Sequence, residues 1–91
     1  MEFEWDEPKN YSNKGKHGID FEKAKEIFSD TNLVTFISDE KKYGEKRFLS
    51  VGKIVNLVYT VVYTLRNSNI RIISARRSNK FERNYYQTKN K

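Results

Sequence analysis

The chain predicts an α+β domain in which two N-terminal helices pack on a four-stranded, mainly antiparallel sheet, with a short C-terminal helix to follow. Three observations lead there. Phe21, Ala24, Ile27 and Phe28 keep a 3.6-residue period behind Asp20, the mark of a core-facing helix. After Asp30 that period gives way to four short runs of β-branched and aromatic residues separated by polar turn sequences. At 91 residues the chain is a single domain, residues 1–91, with nothing left over for a second.

Each element has a local cause. Phe3-Glu4-Trp5 is a short extended segment. Asp6 caps a first helix that accepts Pro8 in its first turn, where a missing N–H costs little, and that runs to about His17. Lys9, Asn13, Lys16 and His17 share one polar face of it. Gly15 is expected to loosen the last turn and Gly18 to end it. Asp20 caps the second helix. The strand runs are residues 33–38, 47–52, 57–64 and 70–75. The third is apolar on both faces, which makes it central, with helices over at least one side. Arg66-Asn67-Ser68-Asn69 is a hairpin connection. Residues 78–86 form the last helix, with Ser78 or Asn79 at its cap and Phe81 and Tyr85 one turn apart, and residues 87–91 are expected as a frayed tail.

Composition excludes several chemistries. Only 36% of the residues are apolar and 33% are charged, so the core is small and leans on the 14% that are aromatic. The absence of cysteine removes disulfides, thiol nucleophiles and Cys-ligated zinc, and the single histidine, His17, excludes a multi-His metal site. No cofactor is expected. No apolar run nears the ~20 residues of a membrane span, and the acidic start Met1-Glu2-Phe3-Glu4-Trp5-Asp6-Glu7 is unlike a secretory signal. A soluble, cytoplasmic protein is the expectation.

Charge placement says more than total charge. Residues 1–65 carry ten Lys/Arg and eleven Asp/Glu, net −1, whereas residues 66–91 carry eight and one, net +7, for a total of +6. Such a basic end suits a polyanion, foremost nucleic acid, with an acidic protein or an anionic membrane as lesser options and a solvated basic tail as the bland one.

Three groups of residues could carry chemistry. Lys16 and His17, with Lys9 and Asn13 further up the same face, combine a side chain that moves protons near neutral pH with cations for a phosphate; a histidine placed only for helix-end stability is the competing reading. Arg76 and Arg77 close the last strand, with Lys80 and Arg83 following, where guanidinium groups and a helix N-terminus can meet an anion. Glu82, Arg83, Tyr85 and Tyr86 offer a carboxylate, a cation and phenols, although packing is the commoner role for such tyrosines. If folding brought these groups together, they would supply the proton transfers and fixed positive charge that metal-free RNA cleavage requires.

The same residues carry a resemblance. Asp6-x-x-Lys9-x-x-x-Asn13-x-x-Lys16-His17-Gly18-Ile19-x-Phe21-x-x-Ala24, then Phe28-x-Asp30, Arg47-Phe48 and Gly52, resemble the BrnT family of type II toxins. Val62-Tyr63-Thr64-x-Arg66, Arg71-Ile72-Ile73-Ser74-Ala75-Arg76-Arg77 and Glu82-Arg83-x-Tyr85 are similar to its second half. The departures are small: Gly15 in place of a helix former, Ser78 for a common alanine, and Lys46 between Glu45 and Arg47.

The resemblance implies a RelE-like ribonuclease fold and a toxin that cleaves RNA without metal and inhibits translation. It also implies neutralisation by a BrnA-type ribbon-helix-helix antitoxin, in a heterotetramer that meets operator DNA mainly through the antitoxin. On this reading His17, Lys16, Arg76, Arg77 and Glu82 are catalytic, and Lys9, Asn13, Lys80, Arg83 and Tyr85 bind substrate. A non-catalytic basic nucleic-acid-binding module is the alternative, and a pure interaction protein a third.

Overall fold

The computed structural model describes residues 2–38 and 44–90. Among these described residues the expected four strands become five, because Phe3–Glu4 (β1) is a strand in its own right. After it come α1 (Glu7–His17), α2 (Phe21–Ala24), a 3₁₀ turn (Lys25–Ser29), β2 (Val34–Ile37), β3 (Phe48–Ile54), β4 (Leu57–Arg66), β5 (Asn69–Arg77) and α3 (Lys80–Lys89). The sheet order is β1-β5-β4-β3-β2, antiparallel throughout except for the parallel β1–β5 pair. Phe3-Glu4-Trp5 was expected to be extended, and two of its residues pair as a strand, which so short a run, with no alternation to read, does not foretell. Distant partners hold it: the Ile70 N–H donates to Glu2 O at 2.8 Å, and Arg71 Nη1 donates to Glu4 Oε2 at 2.9 Å.

The helix starts follow their caps. The Asp6 carboxylate accepts from the Lys9 N–H at 3.3 Å and that of Asp20 from the Lys23 N–H at 2.8 Å. Gly15 does not loosen α1, which stays helical through His17 and ends at Gly18, whose N–H donates to Lys14 O at 2.8 Å and whose φ of 73° turns the chain out of the helix. The second helix is shorter than its period suggests and tightens into the 3₁₀ turn after Ala24. Phe21, Ala24 and Ile27 recur every third residue and are fully buried, an arrangement that three residues per turn keeps in line. Gly52 of β3 permits this approach, since a Cβ there would lie 2.9 Å from Ile27 Cβ.

Helices cover both faces of the sheet. On one, Ile19, Phe21, Ala24 and Ile27 pack with Ile54, Val61, Tyr63, Ile70, Ile72 and Ala75. On the other, Tyr86 of α3 packs with Val34 and Val51. A bulge in β5 makes the first face possible. Ile70 and Ile72 point inward, and strict alternation would send Ser74 there next; the register irregularity opposite Val62/Tyr63 inserts one residue, so Ala75 turns inward instead.

The tail expectation is corrected for residues 87–89, which continue α3, while Lys91 lies outside the described residues. The helix is held from both ends. Asn79, not Ser78, is its cap. Near the other end Asn90 Nδ2 donates to Asn32 O at 3.0 Å, and the buried Tyr86 hydroxyl donates to Asp30 Oδ2 at 2.5 Å. Loss of solvation, followed by that bond to a carboxylate, pushes the Tyr86 phenol up to about 12 from its ordinary 10.0. A raised folded-state pKa stabilises the fold below the unfolded value, and that contribution is lost as pH rises from 10.0 to about 12. Tyr86→Phe should therefore melt at a lower temperature than wild type at pH 7, and the gap should close over that alkaline window. A constant gap in paired thermal melts would show that the Tyr86–Asp30 bond is not its source.

Candidate active site

One buried side chain of α1 hydrogen-bonds to β5. Asn13 is 7% exposed, and its amide donates to Ile19 O and to Ala75 O, both at 2.9 Å, while its Oδ1 accepts from the Ala75 N–H at 3.1 Å. The Ala75 backbone edge, which β1 does not reach, thus finds in Asn13 what a neighbouring strand would have supplied. Of the four polar residues expected on this face of α1, Asn13 is the one used to fix the helix.

That contact sets the position of the other three. Lys9, Lys16 and His17 are exposed and line, with Ser12 and Asn13, an open groove of ≈ 190 Å³ whose far wall is Ile73 and Ser74. The bulge supplies that wall, because it turns both residues away from the core side. Ser12 was within reach of sequence reasoning, standing three residues from Lys9 on the same helix face; Ile73 and Ser74 were not, since a bulge is decided by what packs beneath it.

Arg76 and Glu82 lie elsewhere and bind each other. Glu82, 6% exposed, accepts from Arg76 Nη1 at 2.8 Å and Nη2 at 2.9 Å, a two-pronged pair, and also from the Asn79 N–H and the Thr60 hydroxyl. Burial alone would push this carboxyl up, but the Arg76 guanidinium, the Asn79 N–H and the Thr60 hydroxyl outweigh it and hold the group below its ordinary range. With its oxygens engaged by four donors, Glu82 is an ionised anchor for Arg76 and for the start of α3. Neither residue lines the groove at His17.

The remaining candidates separate as well. Arg77 lies with its guanidinium 5.9 Å from the centre of the Tyr59 ring, and Arg83 donates from Nη1 to Ser78 O at 2.6 Å; both line a second groove, on the far side of β5's end. Lys80 is exposed on the first turn of α3 and borders neither groove. Tyr85 sits in an aromatic trio, 4.9 Å from Phe36 and 6.3 Å from Phe81 between ring centres, where Phe81 is 67% exposed. Among the described residues no group of three or more His, Cys, Asp and Glu side chains converges as metal ligands would, and no helix is long and apolar enough to cross a membrane.

These features define a small α+β domain with basic grooves at the edge and the end of one strand. The model of the BrnT family, the ribonuclease toxin of type II toxin-antitoxin systems, matches residues 5–82, and the chain belongs to that family. No curated protein matches it.

Proposed function

We propose that this toxin cleaves RNA in the groove between the end of α1 and the β5 bulge, by attack of a 2′-hydroxyl on the adjoining phosphate and without a metal ion. The observation that carries the reading is the exposure of His17 in one groove with Lys9 and Lys16. A proton leaves the 2′-hydroxyl, O2′ bonds to phosphorus, the P–O5′ bond breaks and O5′ takes a proton, leaving a 2′,3′-cyclic phosphate and a 5′-hydroxyl end. His17 carries one of the two protons and solvent water the other, and Lys16 and Lys9 hold the phosphate as its charge grows. Arg77 and Arg83 hold the RNA backbone beyond the groove. Glu82 acts by keeping Arg76 and α3 in place. In the cytoplasm a ribbon-helix-helix antitoxin of the BrnA type neutralises the toxin in a heterotetramer, and operator DNA is met through that partner.

The test is incubation of the purified protein with an end-labelled RNA in excess EDTA, with and without ribosomes, beside a copy carrying 2′-deoxy substitutions. New ends with a cyclic phosphate, absent from the deoxy copy, are the expected result. Intact RNA under both conditions, with salt-sensitive binding retained, would instead mark a binding module.

A further inference from the structure

We infer that the second groove, at the β3–β4 turn, is a separate binding site for the phosphate backbone of the RNA, a reading that rests on the proposed ribonuclease function and extends it to flanking nucleotides. The groove, ≈ 290 Å³, is larger than the one at His17. Lys53, Arg77 and Arg83 line it with three side-chain amides, Asn56, Asn84 and Gln87, and no carboxylate is among its lining residues. Among the described residues no ion pair involves Lys53, Arg77 or Arg83, whereas Arg76, one residue away, is neutralised by Glu82. The Asp30 carboxylate feels the charge of Lys53, but its oxygens are already engaged by Tyr86, Asn32 and the Lys53 N–H.

Its donors suit phosphate. Arg77 is steadied against the Tyr59 face, and Arg83 is fixed by one bond to Ser78 O that leaves its other N–H groups available. Three amides alongside three cations offer neutral hydrogen bonds between charged contacts, which matches a chain of phosphates and sugar hydroxyls better than a run of carboxylates. Position supports the same ligand. Arg77 and the Ser74 wall of the first groove are three residues apart on β5, which at about 3.3 Å per residue is roughly 10 Å, so one short single strand can reach both.

The experiment measures affinity for a 2′-deoxy oligonucleotide, which binds without being cut, across a salt series. Lys53→Glu and, separately, Asn84→Glu are compared with wild type, after melts confirm that each is folded. Lys46→Glu, the same charge change as Lys53→Glu but ahead of the opposite end of β3, is the control. Both groove variants should bind about tenfold more weakly, with a salt slope shallower by ~0.7 for each phosphate that is no longer neutralised, while kcat on saturating RNA stays at the wild-type value. Unchanged affinity, an equal loss in Lys46→Glu, or polyglutamate that binds as tightly and loses as much would each overturn the assignment. Because the probe is not cleaved, the result stands apart from the fate of the His17 reading: loss of binding with no RNA cleavage by wild type would leave the site and remove the reaction.

Discussion

His17→Ala is expected to lower RNA cleavage by ~10²–10⁴-fold in kcat, the usual contribution of a positioned proton-transfer group, equivalent to about 3–5 kcal/mol of barrier. Binding of a 2′-deoxy analogue should change little, because Lys9, Lys16 and the second groove remain. The fold should also survive. His17 is exposed at the end of α1, and its removal forfeits at most a favourable charge near the helix C-terminus, about 0.3–1 kcal/mol. Activity and stability therefore separate in this variant. A cleavage rate equal to wild type would remove His17 from the mechanism and move the search to the lysines.

The opposite separation is expected at Asn13. Asn13→Ala leaves Ala75 without partners for its N–H and C=O and strips one from Ile19 O, all beside the buried core. Buried groups left unpaired cost about 1–3 kcal/mol each; with some relaxation of α1 the total should be about 2–4 kcal/mol, a fall in melting temperature on the order of 10 °C or more. Asn13→Asp should do worse, because a carboxylate cannot donate to the two carbonyl oxygens that face it. Asn13 was expected to bind substrate. If Asn13→Ala melted with wild type and showed only a raised KM, that expectation would stand and the clamp would not.

How much was legible in the sequence divides along the range of the interactions. Asp6 and Asp20 act within three residues of themselves, and each was readable as a cap. The burial of Phe21, Ala24 and Ile27 follows from a spacing visible in the chain, as do the four longer strands. Lys9, Lys16 and His17 share a groove because a helix places such positions side by side.

The arginines show where local reading stops. Arg76 and Arg77 are neighbours of identical chemistry, and the sequence assigns them one role. Strand alternation sends Arg76 to the α3 face, where it meets Glu82 six residues on, and sends Arg77 over Tyr59 at the mouth of the second groove. The groove itself joins Lys53, from the end of β3, to Asn84 and Gln87 of α3, which no spacing connects.

The sequence by itself determined the helix caps, the periods, the basic C-terminal third and the resemblance that the family match upholds. Only the tertiary structure decided that Asn13 stands in for a strand, that β1 completes the sheet and that one arginine is neutralised while the next is left exposed. The physical reason is that caps and periods come from bonds within a turn of the chain. The Asn13–Ala75 and Arg71–Glu4 bonds span 62 and 67 residues and exist only once the sheet has brought their partners together.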